Sequence, residues 1–170
     1  MNRVVNTTVL SNFAAVGRLD LLRDTAGPLY LPVEVYDEIV AGQMAGYEFY
    51  DRLEQHIVPF TPDGWLHLVS MNDDELQSFA SLPPNLHQAE RACLSIARHR
   101  RWGFLSDDRA ARRQATAWQV PLSGTLGVLL LAIEDGQLTV AAGNELLQNM
   151  VSRSHYRTPT MDLSSLFSRL

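Results

Sequence analysis

Four stations along this sequence carry side chains able to bind a hard metal ion: Asn6, Glu38, Glu90 and the pair Asp107-Asp108. Asn6 and the aspartate pair each follow a short apolar run, Arg3-Val4-Val5 and Gly103-Phe104-Leu105, while Glu38 and Glu90 fall in the opening turns of two amphipathic stretches. Mg²⁺ needs only one or two carboxylates, because water and substrate phosphate complete its shell. An ion held this way can polarise a phosphoryl oxygen and generate hydroxide, and a pair of ions can hold both the attacking and the leaving oxygen. Each residue also has a plain structural explanation. Asn6 suits an Asx-turn at a strand end, and Asp107 suits a helix cap. Glu38 reads as a surface helix residue and Glu90 as an acid favoured near a helix start.

All fourteen basic residues are arginines, and half of them fall between Leu86 and Gln114. Arg98, Arg100, Arg101, Arg109, Arg112 and Arg113 form the candidate nucleic-acid-binding set, because the planar guanidinium fork matches phosphate. A solvated helix face is the competing explanation. Other chemistries find little support. The five histidines are scattered without ligand spacing, and the absence of lysine removes any P-loop. Gly124-Thr125-Leu126-Gly127 is too short and too late for a dinucleotide fingerprint. Cys93 is the only cysteine, so no internal disulfide forms, and it reads as a small core residue.

The elements that must position these residues follow from periodicity. Leu86, Ala89, Cys93, Ile96 and Ala97 recur at helical spacing, Gly103-Phe104-Leu105 reads as a buried strand, and Ser106 or Asp107 can cap the next helix. Upstream, strands are expected at Arg3–Val5 and Leu29–Leu31, with helices from Val9 to Val16, Leu19 to Arg23 and Val33 to Val40. Gly42 and Gly46 are expected to break that last pattern before another helix marked by Tyr47, Tyr50 and Leu53. Ile57-Val58 and Trp65–Val69 offer strand around a Thr61–Gly64 turn, followed by a helix from Asp73 to Ser81. After a strand at Val120–Leu122 come an apolar helix ending near Gly136, a helix from Leu138 to Val151 interrupted near Gly143, and a last short helix from Leu163 to Leu170. Alternating strands and helices predict a mostly parallel sheet covered on both faces, with strands ending at Asn6, Leu31, Ser106 and Leu122. Those ends would bring the acidic stations to one edge, where ligands of open α/β sheets bind.

The length of 170 residues and 46% apolar content suit one domain, with a core over 3–140 and a helical extension over 141–170. No apolar run approaches the roughly 20 residues that span a bilayer. Polar residues interrupt the first thirty, so no membrane association and a cytoplasmic location are expected. A net charge of −5 argues against nucleic-acid binding through global charge, while leaving the local arginine concentration intact.

Taken together, VVNTTVLSNFAAVGRLDLL, LYLPVEVYDEIVAG, LHQAERACLSIARHR, GFLSDDRAARRQA and PLSGTLGVLLLAIEDGQLT resemble a PIN domain. They are most similar to the branch that opens with an Asn-Thr-Thr/Ser motif and carries a Gly-Thr-Leu-Gly turn. The resemblance implies a three-layer α/β/α sandwich with a central mostly parallel sheet, acidic residues that bind Mg²⁺ or Mn²⁺, and RNA cleavage, often as the VapC-type toxin of a toxin–antitoxin pair. Homodimers and an antitoxin partner come with it. By position, Asn6 stands where most members have their first aspartate, Glu38 matches the second acid, Glu90 the third and Asp108 the fourth, with Asp107 as its rival. Asn6, Glu90 and Asp108 are then the metal ligands, Glu38 orients or activates water, and Thr7 and Thr8 lie beside the site. Asn6 departs from the family pattern; an amide oxygen still coordinates a cation, at lower ligand charge. Two functions remain open: a metal-dependent ribonuclease, or a non-catalytic PIN-like module that binds nucleic acid or a protein partner.

Overall fold

The computed structural model describes residues 1–167. Six short strands form one parallel sheet: β1 (Arg3–Val5), β2 (Leu29–Pro32), β3 (Ile57–Val58), β4 (Leu66–Val69), β5 (Gly103–Leu105) and β6 (Leu122–Ser123). Their spatial order is β3-β4-β2-β1-β5-β6, and each neighbouring pair is parallel. β1 is central because its residues are buried on both faces, Val4 and Val5 completely. The four expected strand ends lie within one residue of those found.

Parallel neighbours require crossovers, and helices supply them everywhere except between β3 and β4. α1 (Thr7–Ala15) and α2 (Leu19–Thr25) follow β1, and α3 (Val33–Met44) follows β2. α4 (Asp73–Ser81) and α5 (Gln88–Arg100) lead to β5, and α6 (Arg109–Ala117) leads to β6. α7 (Thr125–Glu134), α8 (Val140–Ser154) and α9 (Ser164–Phe167) complete the described chain. α5 packs against α3, α4 and α6, and α1, α2, α7 and α8 make a second group. The result is a three-layer α/β/α sandwich. α5 lies against β1, β2 and β5. From Ala89 to Ala97 only Arg91 escapes burial, which is why small residues dominate that helix.

Several expectations are corrected. Gly42 lies inside α3, where a Cβ would come 2.7 Å from the Tyr50 ring; the glycine admits that ring and does not end the helix. Gly143 likewise lies inside an unbroken α8. Tyr47 to Leu53 does not form a helix; two 3₁₀ turns, Glu48–Tyr50 and Leu53–His56, occupy the region. The Thr61–Gly64 turn joins two parallel strands, with Ile57 opposite Leu66. The last helix runs from Ser164 to Phe167, and the remainder of its expected span, 168–170, lies outside the described residues. Among the described residues no helix is long and apolar enough to cross a membrane.

Candidate active site: carboxylates at the sheet edge

Val5 and Leu105 are register partners, so Asn6 and Ser106 leave the sheet side by side. Asn6 is fully buried and caps α1. Its Oδ1 accepts from Thr8 Oγ1 (2.8 Å) and from Val9 N–H (3.3 Å), and its Nδ2 donates to Ser106 Oγ (2.8 Å). The amide is therefore satisfied at both ends. Ser106 Oγ also accepts the Asp108 N–H at 3.2 Å, which ties the turn after β5 to the start of α1.

That turn sends its two aspartates to different tasks. Asp108, not Ser106 or Asp107, caps α6, its Oδ1 accepting from Ala111 N–H at 2.7 Å. Asp107 serves the next helix instead: Oδ1 accepts from Thr125 N–H (3.0 Å), and Oδ2 accepts from Thr125 Oγ1 (2.6 Å) and Asn12 Nδ2 (3.1 Å). Tyr156 Oη adds a long contact of 3.5 Å from the C-terminal stretch. Gly124 makes this closeness possible, since a Cβ there would stand 2.5 Å from Asp107 Oδ1. Burial raises the Asp107 pKa, and the Thr125 donors offset only part of that rise.

Glu38, on α3, accepts from Thr7 Oγ1 at 2.5 Å, so the first residue of α1 orients it. Glu90, in the first turn of α5, is only 7% exposed, and its Oε2 has no hydrogen-bond partner. Burial raises its pKa, and the charges of Glu38 and then Asp108 raise it further. The charges of Glu38, on α3, and of Asp108, the α6 cap, thus both act on Glu90 of α5. Sequence reasoning passed over a neighbour, Glu34, one turn before Glu38 on α3; its Oε2 is also buried without a partner, and burial raises its pKa. The Glu34–Glu38 spacing of four was the available signal. Cys93, beneath these groups, is fully buried with its thiol directed to Val5 O (3.7 Å). Burial first, then the charges of Glu90, Glu34 and Glu38, push that thiol up, so it is a core residue and not a nucleophile.

The six candidate arginines divide into two groups. Arg98, Arg100 and Arg101 lie at the far end of α5 from Glu90, about 12–17 Å along the helix at 1.5 Å per residue. Arg98 stacks over the Trp118 ring, and Arg100 binds Glu75 (2.6 and 2.8 Å) and Ser70 O (2.8 Å). Arg101 is the left-handed cap of α5. Arg109, Arg112 and Arg113 lie on α6, whose first turn Asp108 caps. Arg112 is held there, its Nη1 donating to Ser106 O (2.8 Å) and Ser123 O (3.1 Å).

Among the described residues no three His, Cys, Asp or Glu side chains stand together at metal-ligating distance. The donor set nevertheless fits a hard divalent ion. Glu90 offers a buried oxygen that no proton donor satisfies, and Glu38 and Asp108 supply charge beside it. One or two carboxylates completed by water are sufficient for Mg²⁺. Compared with known proteins, residues 2–167 match a family model described as a PIN domain. No curated protein matches the chain.

Proposed function

Because the chain belongs to the PIN domain family, a group of generally nuclease-type, nucleic-acid-binding and divalent-metal-dependent proteins, we propose that it is a Mg²⁺- or Mn²⁺-dependent endoribonuclease. Glu90 and Asp108 would be the principal ligands and Glu38 the group that orients or activates water, with Thr7 fixing its carboxylate. Asn6, whose oxygen already accepts from Thr8 and Val9, would act through Ser106 as the tie that holds the Asp108 turn. A divalent ion bound there supplies Lewis-acid stabilisation of phosphoryl charge and lowers the pKa of water. Arg109 and Arg113 would hold the RNA backbone while Arg112 braces the turn through the Ser106 and Ser123 carbonyls, whereas Arg98, Arg100 and Arg101, engaged at the far end of α5, would take no part in RNA binding. The single observation that carries this reading is the buried Glu90 oxygen without a hydrogen-bond partner, on which the charges of Glu38 and Asp108 act. A toxin role, an antitoxin partner, a homodimer and a cytoplasmic setting belong to the same proposal and rest on the family resemblance.

The second reading is a non-catalytic PIN-like module that binds nucleic acid or a protein partner. One observation favours it: Asn6 replaces an acid, and both acceptor directions of its oxygen are already engaged. Cleavage of a single-stranded RNA panel with Mn²⁺, and with chelator as control, separates the two. The nuclease reading expects metal-dependent cleavage that Glu38→Gln lowers by roughly 10²–10⁴-fold, the usual range for a lost general base. Equal residual activity in wild type and Glu38→Gln, or none in either at any metal concentration, assigns the chain to the module.

A further inference from the structure

Against Asp107, in the turn after β5, lies a cleft of ≈ 810 Å³ between α6, β6, the start of α7 and the segment Tyr156–Pro159. Its volume falls within the range of about 300–1,000 Å³ typical of small-ligand sites. Four arginines line it, Arg109, Arg112, Arg113 and Arg157, against a single acid, Asp107. The acid is fully committed to Thr125, Asn12 and Tyr156, and Arg112 is committed to two carbonyls. Arg109, Arg113 and Arg157 are exposed and have no carboxylate or carbonyl partner among the described residues. Arg109 and Arg113 are four residues apart on α6, a spacing at which like charges oppose helix formation unless an anion compensates them. Such uncompensated charge, in a chain of net charge −5, is local and directional.

Leu122, Leu126, Pro159 and Tyr156 also line the cleft, so apolar and aromatic side chains stand there together with the arginines. We propose that this cleft takes one nucleotide of a single-stranded nucleic acid, its base against the apolar and aromatic side chains and its phosphates on Arg109, Arg113 and Arg157. A base with a free face can lie against an aromatic or apolar surface, and arginine matches the phosphodiester, which a duplex or a bare phosphate would exploit only in part. Because Asp107 lines the cleft and Asp108 faces the carboxylates, the nucleotide would adjoin the one at the carboxylate centre. That adjacency rests on the nuclease reading; the binding itself does not. Arg157, from the stretch after α8, thereby becomes part of the nucleic-acid surface.

The test is fluorescence anisotropy of the full chain in chelator, so that binding is read without cleavage, against labelled single-stranded RNA hexamers and an abasic hexamer of the same backbone. The variants are Arg113→Ala/Arg157→Ala, its charge-retaining Arg→Lys counterpart, and Arg98→Ala/Arg101→Ala as a control at the distant end of α5, each checked for folding by circular dichroism. The expected result is a loss of at least about tenfold for the Arg113/Arg157 alanine pair, with the slope of log K against log salt reduced by about 1.4, two single-strand contacts. The control pair should bind as wild type and the abasic hexamer more weakly than RNA. Unchanged binding by the Arg113/Arg157 pair overturns the proposal even if the enzyme cleaves RNA. Equal affinity for the abasic hexamer overturns the base subsite, and preference for an acidic peptide over RNA assigns the cleft to a protein partner. Loss of binding in that pair, in a chain that never cleaves, leaves the cleft in place and removes only the nuclease reading.

Discussion

Two adjacent aspartates with identical chemistry do different things here because the turn after β5 points them apart. Asp107 knits Thr125, Asn12 and Tyr156 together, whereas Asp108 caps α6 and adds its charge to Glu90. Asp107→Ala should therefore cost about 2–3 kcal/mol, since it strands buried donors, while Asp108→Asn should leave stability within about 0.5 kcal/mol, because asparagine caps a helix as well as aspartate. Urea unfolding of the two variants measures this, and equal losses would show that the roles are not divided. The types of these residues were readable in the sequence, and so was the rivalry within the pair. Their directions were not, because they depend on Gly124 and Thr125, which reach the turn through a separate strand. Glu34 was missed for a related reason: a helical glutamate declares itself only when its burial is known.

At the scale of elements, Arg100 shows how a charge that looks like a phosphate ligand can be structural. It joins the end of α5 to Glu75, which is fully buried and completes a capping box with Asn72 at the start of α4. Burial pushes the Glu75 carboxyl up, but the Arg100 hydrogen bonds, the Asn72 N–H and the Arg100 charge together hold it below its ordinary value near 4.5. A depressed carboxylate contributes stability above its unfolded pKa and loses it as pH falls through the folded one. Arg100→Ala should accordingly destabilise the protein by about 1.5–3 kcal/mol at pH 7. The gap from wild type should close below about pH 4, where Glu75 becomes protonated in the unfolded and then the folded state. Denaturant midpoints across pH 3–7 read it directly; a gap that does not change with pH would mean that packing of the Arg100 stem, and not its ion pair, does the stabilising. The strands and most helices were legible because hydrophobic spacing is local. The continuity of α3 through Gly42 was not, because it depends on Tyr50 packing against the missing Cβ. The two arginine ends were legible only as one run, since a sequence does not show that α5 carries three of its members a helix length from Glu90.

For the whole molecule, strand–helix alternation was sufficient to anticipate a parallel sandwich, and the order β3-β4-β2-β1-β5-β6 explains why distant residues meet. β1 and β5 are neighbours although about a hundred residues separate them, so Asn6 reaches Ser106 and the charges of Glu38 and Asp108 converge on Glu90. That sheet order is a long-range property and left no mark in local periodicity. The central claim is that this convergence holds a divalent ion. Asn6→Asp tests it with nearly constant shape: the Ser106 hydroxyl can reverse and donate to the new carboxylate, and the added charge then acts on any ion beside Glu90. The most direct measurement is calorimetric titration of Mn²⁺ into wild type, Asn6→Asp and Glu90→Gln, each shown to be folded. Our account predicts saturable binding in wild type, tighter by about tenfold or more in Asn6→Asp, and abolished or strongly weakened in Glu90→Gln. Absence of binding in all three, or binding that Glu90→Gln leaves unchanged, would contradict it.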